Sequence, residues 1–577
     1  MLNIIVISGG SGSTELQKGL SELLGYGNYK IDIIINAFDN GKSTGTCRRV
    51  FHNNILGPSD LRKNHILNFK LKYDKELKEN NKYYCDLLSL FEIRLSAENP
   101  KEYYKKAFDL INNQTELPEY RRKELIEYID IFFKINSKAL INESFKDFAL
   151  SNIFYASAAF KNKNSLSEAG KIMSDFLHLN NNVYLVSDKS LFLKAKTENK
   201  SIIDDEAKIV DWNNSNDKID YIYLENKFGN TIVPKISNET KILIKNADII
   251  IFSSGTQFSS LIPTYIHKGF YNIIKDSKAK KYLVMNNIQD KDMIGFNSND
   301  ILNKIEDYLD LKDIKIIVNS NSDESMQVVK NGKYSKNVIE EELSEKCSKK
   351  HNGVKLAAVI LEDFFNLSKN VKLIADFDGT IYDNKFMDIT DDNILKLNKL
   401  NGSIISGNTS KHIYNLIFNR FKDIVFNFNI ILCSYGIEEL DNNGKIICQD
   451  IIDNSKIKDI LKILYNDRFI IDDKIVHIKP FENREKEIKK IKRLKLPDYS
   501  ILQAGKTSID IIPMKYLKSN VIKEKFEKDN ILYIGNELLN KNGNDYSVTL
   551  DKSIKFFNVN DIFETNNILR VIEFINR

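Results

Sequence analysis

The sequence predicts an α/β protein with two parallel-sheet domains in tandem. Leu2–Ser8 and residues 373–375 are short apolar runs that end at turns rich in glycine or aspartate, and helix-and-strand patterns follow each of them. A chain of 577 residues is also too long for a single hydrophobic core. Ligands of open α/β sheets bind just beyond the carboxyl ends of the strands, so each turn is a candidate functional site.

The composition is that of an ordinary globular protein and argues against nucleic-acid and membrane partners. Apolar residues make up 42% and charged residues 28%, and 84 Lys+Arg against 79 Asp+Glu leave a net charge of only +5. This balance predicts no nucleic-acid or membrane partner. The five cysteines form no CxxC pair, no run approaches a membrane span and the start lacks a signal-peptide pattern, so a cytoplasmic location is expected. Whether the chain forms a homo-oligomer is left open.

The first candidate site is the turn after the N-terminal strand. A helix with a leucine-rich face, which begins near Leu16, follows this turn. Backbone N–H groups at such a helix start, beside small side chains, suit a phosphate or another anion, although a glycine turn can also serve packing alone. Glu15 at the third glycine position excludes the dinucleotide fingerprint, and no Gly-Lys-Ser/Thr follows as in a P-loop. The residues of the turn are Gly9, Gly10, Ser11, Gly12 and Ser13.

Two further turns carry polar residues of the kind that binds phosphate. A second predicted strand leads into a turn with Asp39, Gly41 and Ser43, and a later turn holds Asp60 and Arg62. Taken singly, the aspartates can be turn caps and the arginine can belong to a surface ion pair. Because these residues occur as an ordered set, we prefer the interpretation that they bind phosphate.

This order of motifs resembles the 2-phospho-L-lactate transferase (CofD-like) superfamily and, within it, the gluconeogenesis-factor (YvcK-like) branch. The motifs are GGxG, A-x-D-x-G-x-S-x-G and P-x-D-x-R, followed by segments 151–154, 247–263 and 351–357. The resemblance covers about residues 1–368, with a predicted helical insertion at about 66–145. It implies a Rossmann-like fold that holds a nucleotide or nucleotide-sugar. The residues expected to bind it are Gly9, Gly10, Ser11, Gly12, Ser13, Asp39, Gly41, Ser43, Asp60, Arg62, Asn152, Gly255 and Thr256.

The resemblance also implies roles for individual residues. Asp39 or Asp60 would hold a metal ion or a hydroxyl group, and Arg62 would neutralise phosphate. Phe38 stands where the branch usually has a second aspartate, and two serines replace a Gly-Pro pair, so the identity of the ligand stays open. Both a group-transfer reaction and a non-catalytic sensing role are compatible with this domain.

The second candidate site follows the apolar run 373–375. Asp376 and Asp378 face the same way if the strand continues, and Gly379 lets the backbone come close to an anion. Two like charges this close favour a hard divalent cation, so the sequence predicts Mg²⁺ here. The alternative is a strand that simply ends in an Asp-Gly turn.

The pentad Asp-Phe-Asp-Gly-Thr resembles the first motif of the haloacid dehalogenase-like (HAD) phosphatase superfamily, and partner motifs follow in order. Ser406 fits the second motif, unless this turn only precedes a helix capped by Thr409. Lys518 fits the third, with Lys515 as a rival. The fourth has Asn536 where the family has aspartate. The implied catalytic residues are Asp376, Asp378, Ser406 and Lys518, and the implied metal ligands are Asp376, Asp378, Asn536 and Asp545.

The HAD-like domain is expected over residues 369–577, with an α/β cap at about 437–505 of the kind that selects small phosphorylated metabolites, often sugars. The leading hypothesis is a bifunctional protein, in which a nucleotide- or nucleotide-sugar-binding domain is joined to an Mg²⁺-dependent phosphatase that forms an aspartyl-phosphate. One alternative is a metabolite-sensing regulator with a weak or inactive HAD domain. The other is a phosphomutase, because the last two motifs look closest to phosphomannomutase.

Overall fold

The computed structural model contains two compact units. The first comprises residues 2–22 and 29–360, and the second contains residues 361–577. The predicted boundary between residues 368 and 369 lies outside the described residues. Among the helices that the structure describes, none combines the length and the apolar composition needed to cross a membrane. The described residues are 2–24, 29–328, 332–346, 348–367, 371–465, 469–471, 475–478, 483–504, 508–526 and 530–576.

A seven-stranded parallel sheet forms the core of the first unit. Leu2–Ser8 lies inside it, between Tyr29–Ile35 and Ile249–Phe252. Its β-branched residues favour an extended chain, and burial on both faces explains why the run does not alternate with polar residues. In spatial order the strands are Val338–Glu341, Ile314–Asn319, Lys280–Val284, Ile249–Phe252, Leu2–Ser8, Tyr29–Ile35 and Val183–Leu185.

Helices make up most of the predicted insertion, together with one antiparallel pair, Arg94–Ala97 and Phe145–Ala149. A further small antiparallel sheet consists of Ile202–Ile203, Phe192–Thr197 and Ile219–Glu225. The α-helices that begin in this unit are Thr14–Leu24, Lys42–Val50, Ser59–Lys72, Asp74–Lys78, Lys82–Glu92, Pro100–Asn112, Glu119–Ile135, Ser137–Leu140, Leu150–Lys161, Leu166–Phe176, Glu206–Val210, Asn238–Asn246, Ile262–Tyr265, Phe270–Asp276, Ser298–Glu306 and Gly353–Phe365.

The main sheet of the second unit also has seven strands. Lys372–Ala375 lies inside it, parallel to both Ser403–Ile405 and Ile531–Gly535. The turns after these three strands therefore emerge at one edge, and the predicted α/β class with two parallel-sheet units in tandem is confirmed. In spatial order the strands are Ile446–Gln449, Glu438–Leu440, Ile431–Cys433, Ser403–Ile405, Lys372–Ala375, Ile531–Gly535 and Ile554–Asn558.

A four-stranded antiparallel sheet, called the small sheet below, corresponds to the predicted cap but differs from it in extent. Glu438–Leu440 and Ile446–Gln449 instead extend the main sheet, because they continue its edge by antiparallel pairing. Ser508–Pro513 joins the small sheet, because it pairs with two of that sheet's strands. In spatial order the small-sheet strands are Phe469–Ile471, Val476–Ile478, Ser508–Pro513 and Tyr499–Ala504. The remaining α-helices are Met387–Lys399, Ser410–Leu416, Ser455–Tyr465, Arg484–Lys492, Lys518–Lys525 and Ile562–Ile575.

Candidate functional sites

A cavity of about 840 Å³ opens at the carboxyl edge of the first unit's parallel sheet. Its walls include the loops that follow the neighbouring strands Leu2–Ser8, Tyr29–Ile35, Ile249–Phe252 and Lys280–Val284. A cavity of this size is large enough for a nucleotide-sized ligand. Most of the residues predicted to bind a nucleotide or phosphate line it, namely Gly9, Gly10, Ser11, Gly12, Asp39, Gly41, Ser43, Asp60, Gly255 and Thr256.

Other segments pass close to the first loop at two of its glycines, and at Gly12 the close atom belongs to the backbone, so glycine is required there. A Cβ on Gly12 would lie 2.2 Å from the carbonyl oxygen of Ser254, and a Cβ on Gly10 would lie 2.2 Å from Oδ1 of Asp60. The loop therefore packs directly against the end of a neighbouring strand. This packing holds its backbone in the cavity wall, where N–H groups can meet an anion.

Three carboxylates form a charged part of this wall. Asp60 pairs with Lys63 at 3.1 Å, and Asp39 accepts a hydrogen bond from the Gly41 N–H at 2.9 Å. Burial raises the pKa of Asp60, and Lys63 opposes this only in part. Burial, with the charges of Asp39 and Asp60, raises the pKa of Glu206 to about 8. A bound cation or hydroxyl donor would therefore lower the free energy of the site.

Three predicted residues lie behind the cavity wall instead of lining it. Ser13 is buried among hydrogen bonds at the start of its own helix. Asn152 donates from Nδ2 to Oγ of Ser43 at 3.0 Å, so it positions a lining residue. Arg62 is buried, with Nη1 3.5 Å from Oγ of Ser151 and with an Nε that has no hydrogen-bond partner among the described residues. Ser13, Asn152 and Arg62 are therefore not among the residues that line the cavity, and their direct contact with a ligand stays a prediction.

The structure adds lining residues that sequence reasoning did not select. Arg94 belongs to the insertion and pairs with Asp147 at 2.6 Å. Asn286 holds Gly255 in place, because its Oδ1 accepts from the Gly255 N–H at 2.8 Å and its Nδ2 donates to the Gly255 carbonyl at 3.1 Å. The position of Asn286 after a buried strand is a signal that could have identified it. Arg94 offered no such signal, since it lies in a charged segment predicted to be helical, whereas the structure places it at the start of the strand Arg94–Ala97.

A buried lysine joins two carboxylates at the edge of the second unit's main sheet. Nζ of Lys518 lies 2.5 Å from Oδ1 of Asp376 and 2.6 Å from Oδ1 of Asp545. Burial alone lowers the pKa of Lys518, but the two carboxylates outweigh it and raise this pKa above its ordinary value. Burial and Asp545 raise the pKa of Asp376 to about 7, against the effect of Lys518. Lys515 is exposed and pairs with Asp450 at 3.3 Å, so the geometry favours Lys518.

Asp378 contacts the loop that follows the neighbouring strand. Its Oδ2 accepts a hydrogen bond from Nδ2 of Asn408 at 2.5 Å, and the Asn408 N–H donates to Oγ of Ser406 at 3.0 Å. Asp378 is solvent-exposed, yet partial loss of hydration still raises its pKa, which suits a proton donor. Thr409 caps the helix Ser410–Leu416, so the capping role belongs to Thr409 and leaves Ser406 at the predicted place.

Asn536, a predicted Mg²⁺ ligand, reaches the same edge as Asp376 and Asp378. A Cβ on Gly379 would lie 2.3 Å from Nδ2 of Asn536, which places this amide beside the Asp376–Asp378 turn. Two carboxylates and an amide are residue types that Mg²⁺ accepts, and the amide atom nearest the turn is the nitrogen Nδ2, so its oxygen would have to turn inward to bind the ion. In the part of the chain that the structure describes, no group of three or more acidic, histidine or cysteine side chains could hold a metal ion. Asn536 in place of a carboxylate agrees with this finding.

Asp545, a predicted metal ligand, makes contacts that the sequence did not predict. Its Oδ1 accepts hydrogen bonds from Lys518 and from the Tyr533 hydroxyl, the latter at 2.7 Å, and its Oδ2 accepts from the Glu537 N–H at 3.2 Å. With both oxygens engaged, Asp545 holds Lys518 in place. Tyr533 escaped sequence reasoning because a tyrosine inside an apolar strand is typical of a core. Asn544, which precedes Asp545 in the chain, has a buried Oδ1 without a hydrogen-bond partner in the described residues.

Comparison with known proteins agrees with the division of the chain. The family model "2-phospho-L-lactate transferase CofD" matches residues 4–360, and the match ends where the first compact unit ends. A "Putative gluconeogenesis factor" of Thermotoga maritima is 24% identical over 320 residues, which are 55% of this chain and 79% of that protein.

Two solved structures are also similar to parts of the chain. A member of the upf0052 family from Bacillus halodurans is 19% identical with a TM-score of 0.41, covering 63% of this chain and 99% of that chain. A haloacid dehalogenase-like hydrolase from Bacteroides thetaiotaomicron is 12% identical with a TM-score of 0.27, covering 36% of this chain and 100% of that chain. Both TM-scores are low.

Proposed function

The chain belongs over residues 4–360 to the 2-phospho-L-lactate transferase CofD family, and from this premise we propose that it is a bifunctional protein. Its first unit binds a nucleotide or nucleotide-sugar. Its second unit is an Mg²⁺-dependent phosphatase of the HAD type, for which a sugar phosphate is the leading substrate class. The main support for the proposed phosphatase activity is the buried ammonium group of Lys518, which lies between Asp376 and Asp545.

In this proposal each residue at the main-sheet edge has a defined task. Asp376 attacks phosphorus, because Lys518 orients its carboxylate and balances its charge. Asp378 protonates the leaving alkoxide and then takes a proton from the attacking water. Ser406 donates a hydrogen bond to a phosphoryl oxygen. Mg²⁺, held by Asp376, Asp378 and Asn536, would neutralise charge on the phosphoryl oxygens.

Phosphate release tests this proposal. The purified full-length protein is incubated with Mg²⁺ and a panel of hexose, pentose and triose phosphates, with the Asp376→Asn variant as the blank. We expect release from at least one ester by the wild type and none by the variant. Phosphate release that persists in Asp376→Asn would assign the activity to another residue or to a contaminant. The lack of any phosphate release by the wild type would contradict the proposed phosphatase activity.

The nucleotide-binding proposal is supported by the cavity of about 840 Å³ and by the glycine loop in its wall. Titration calorimetry with a panel of nucleotides and nucleotide-sugars measures binding, and chromatography of the same mixtures detects consumption. Binding with consumption of the ligand supports a transferase. Binding without consumption supports the sensing role, and the lack of any binding would contradict the proposal.

A further inference from the structure

Tyr435 lies at a junction in the second unit that the proposed phosphatase mechanism does not use. It follows the strand Ile431–Cys433 and is among the largest fully buried side chains. Ser434 and Tyr435 both have left-handed backbone conformations, with φ values of 49° and 62°. L-amino acids rarely adopt these conformations, which persist where surrounding contacts impose them and which occur often at functional sites.

The backbone of this segment shapes the loop of residues 406–408, called the Ser406 loop below. The Tyr435 N–H donates to the Ser406 carbonyl at 2.9 Å, and the Ser434 N–H donates to the Asn408 carbonyl at 2.7 Å. A Cβ on Gly407 would lie 2.9 Å from the Tyr435 hydroxyl oxygen. The phenol therefore lies directly against the loop, and the absence of a side chain at Gly407 makes room for it.

The hydroxyl group of Tyr435 reaches the small sheet. It donates to Oδ2 of Asp510 at 2.7 Å, and Oδ1 of Asp510 lies 2.7 Å from Nδ1 of His477. Asp510 is 2% exposed, and it faces His477 as the register partner on the adjacent strand. Burial and Asp510 raise the pKa of Tyr435 well above its ordinary value, so the phenol remains a donor. One continuous set of contacts thus joins the small sheet to the Ser406 loop.

The same segment also touches the helix that begins with Lys518. A Cβ on Gly436 would lie 2.7 Å from Cγ1 of Val521, in the helix Lys518–Lys525. Tyr435 itself packs in one apolar cluster with Ile475, Leu502 and Ile512 of the small-sheet region. The small sheet is therefore packed on the main sheet next to the candidate catalytic groups, and the Tyr435–Asp510 hydrogen bond is a polar contact at this junction.

We propose that Tyr435 is a positioning residue that couples the small sheet to the Ser406 loop. Through its backbone it holds the loop that contacts the phosphoryl group, and through Asp510 it fixes the strands that would contact the rest of the substrate. The alignment of these two surfaces then determines how well an ester with a large polar leaving group is hydrolysed. This inference rests on the proposed phosphatase.

Kinetics of the Tyr435→Phe variant tests the coupling, because this change removes only the hydroxyl group. We expect kcat/KM for the best sugar phosphate to fall by about 10- to 100-fold, as when a residue that orients a catalytic group loses its partner. For p-nitrophenyl phosphate, which lacks a polyol, we expect a much smaller loss. Equal losses for both substrates, or no loss, would overturn the proposal.

Two further variants separate coupling from a general structural effect. Tyr499→Phe is the matched control, because Tyr499 lies in the same sheet and its hydroxyl contacts the Asp453 carbonyl at 3.4 Å instead. We expect Tyr499→Phe to leave unchanged the ratio of kcat/KM for the sugar phosphate to kcat/KM for p-nitrophenyl phosphate. Asp510→Asn should lower this ratio as Tyr435→Phe does. The double variant of Tyr435→Phe and Asp510→Asn should lose little more kcat/KM for the sugar phosphate than either single variant. Additive losses would contradict a shared hydrogen bond.

Amide hydrogen exchange tests the same inference without any activity. In Tyr435→Phe, we expect faster exchange both in peptides that cover residues 406–412 and in peptides that cover 508–513, and no change in Tyr499→Phe. Faster exchange in only one of the two regions would overturn the coupling. If the wild type hydrolyses no ester, the proposed phosphatase fails, while the exchange result still decides whether Tyr435 joins the two surfaces.

Discussion

The two candidate sites lie at corresponding places, the carboxyl edges of parallel sheets, but they use different parts of the chain. In the first unit, glycine backbone and an open cavity form the site, and Asp39, Asp60 and Glu206 repel one another in its wall. In the second, the buried ammonium group of Lys518 lies in direct contact with both Asp376 and Asp545. The first site thus places glycine backbone beside carboxylates that raise one another's pKa, whereas the second holds a buried cation between two carboxylates before any ligand binds, and a bound cation would reduce the remaining repulsion at both.

Lys518→Met is expected to have the largest effect, because it leaves two buried carboxylates without their cation. Breaking a buried pair in this way typically costs about 3–5 kcal/mol. We expect the second unit to lose that much free energy of unfolding in urea denaturation and to lose phosphate release. Lys515→Met is the control, since Lys515 is exposed and should change stability by less than about 0.5 kcal/mol. Equal effects of the two variants would show that the buried contact is unimportant.

Gly12→Ala tests the backbone-built site in the first unit. The new Cβ would lie 2.2 Å from the Ser254 carbonyl, so the loop must move, at a cost of about 1–3 kcal/mol. We expect a lower midpoint of thermal unfolding and at least tenfold weaker nucleotide-sugar binding by calorimetry. In Gly41→Ala the nearest atom is 3.5 Å away and φ is −79°, so little loss of stability is expected. Unchanged affinity in Gly12→Ala would contradict a ligand on this loop.

Asn536→Asp adds a third carboxylate to the proposed ligand set of Asp376, Asp378 and residue 536. We expect about tenfold tighter Mg²⁺ binding, because a charged oxygen replaces an amide oxygen in the candidate ligand set. Titration calorimetry with Mg²⁺ measures this change whether or not the protein is active. Asn540→Asp is the control, since Asn540 binds Gln503 and Glu537 and is not among the proposed ligands. Weaker Mg²⁺ binding by Asn536→Asp would exclude residue 536 from the metal site.

Glu206→Gln is expected to have the smallest effect and concerns pH. Since the folded-state pKa of Glu206 is about 8 against an ordinary value of 4.5, the folded state holds this proton more tightly, and stability falls as pH rises from about 4.5 to about 8. Glutamine does not titrate, so the variant should lose less stability over this range, by about 1 kcal/mol after solvent screening. Thermal unfolding at pH 5 and pH 9 without ligand measures the difference. Parallel pH profiles would contradict the carboxylate repulsion.

Local patterns were sufficient for much of the fold. The runs at Leu2–Ser8 and 373–375 are inner strands of parallel sheets, as predicted, because continuous apolar β-branched residues favour that environment. The extent of the cap was less predictable. Glu438–Leu440 has the same local character as a cap strand, and only pairing with Ile431–Cys433 assigns it to the main sheet.

The amino-acid sequence by itself determined the fold class, the turns at the two sheet edges and most residue types of both candidate sites, because strand periodicity and turn chemistry act over a few residues. Only the tertiary structure decided what each side chain does. Asp545 accepts a hydrogen bond from Lys518, Asn152 donates one to Ser43, and Tyr435 links two sheets by donating one to Asp510. In each case the partner is distant in sequence. The physical reason is that charge balance and hydrogen bonding depend on which groups folding brings within about 3 Å.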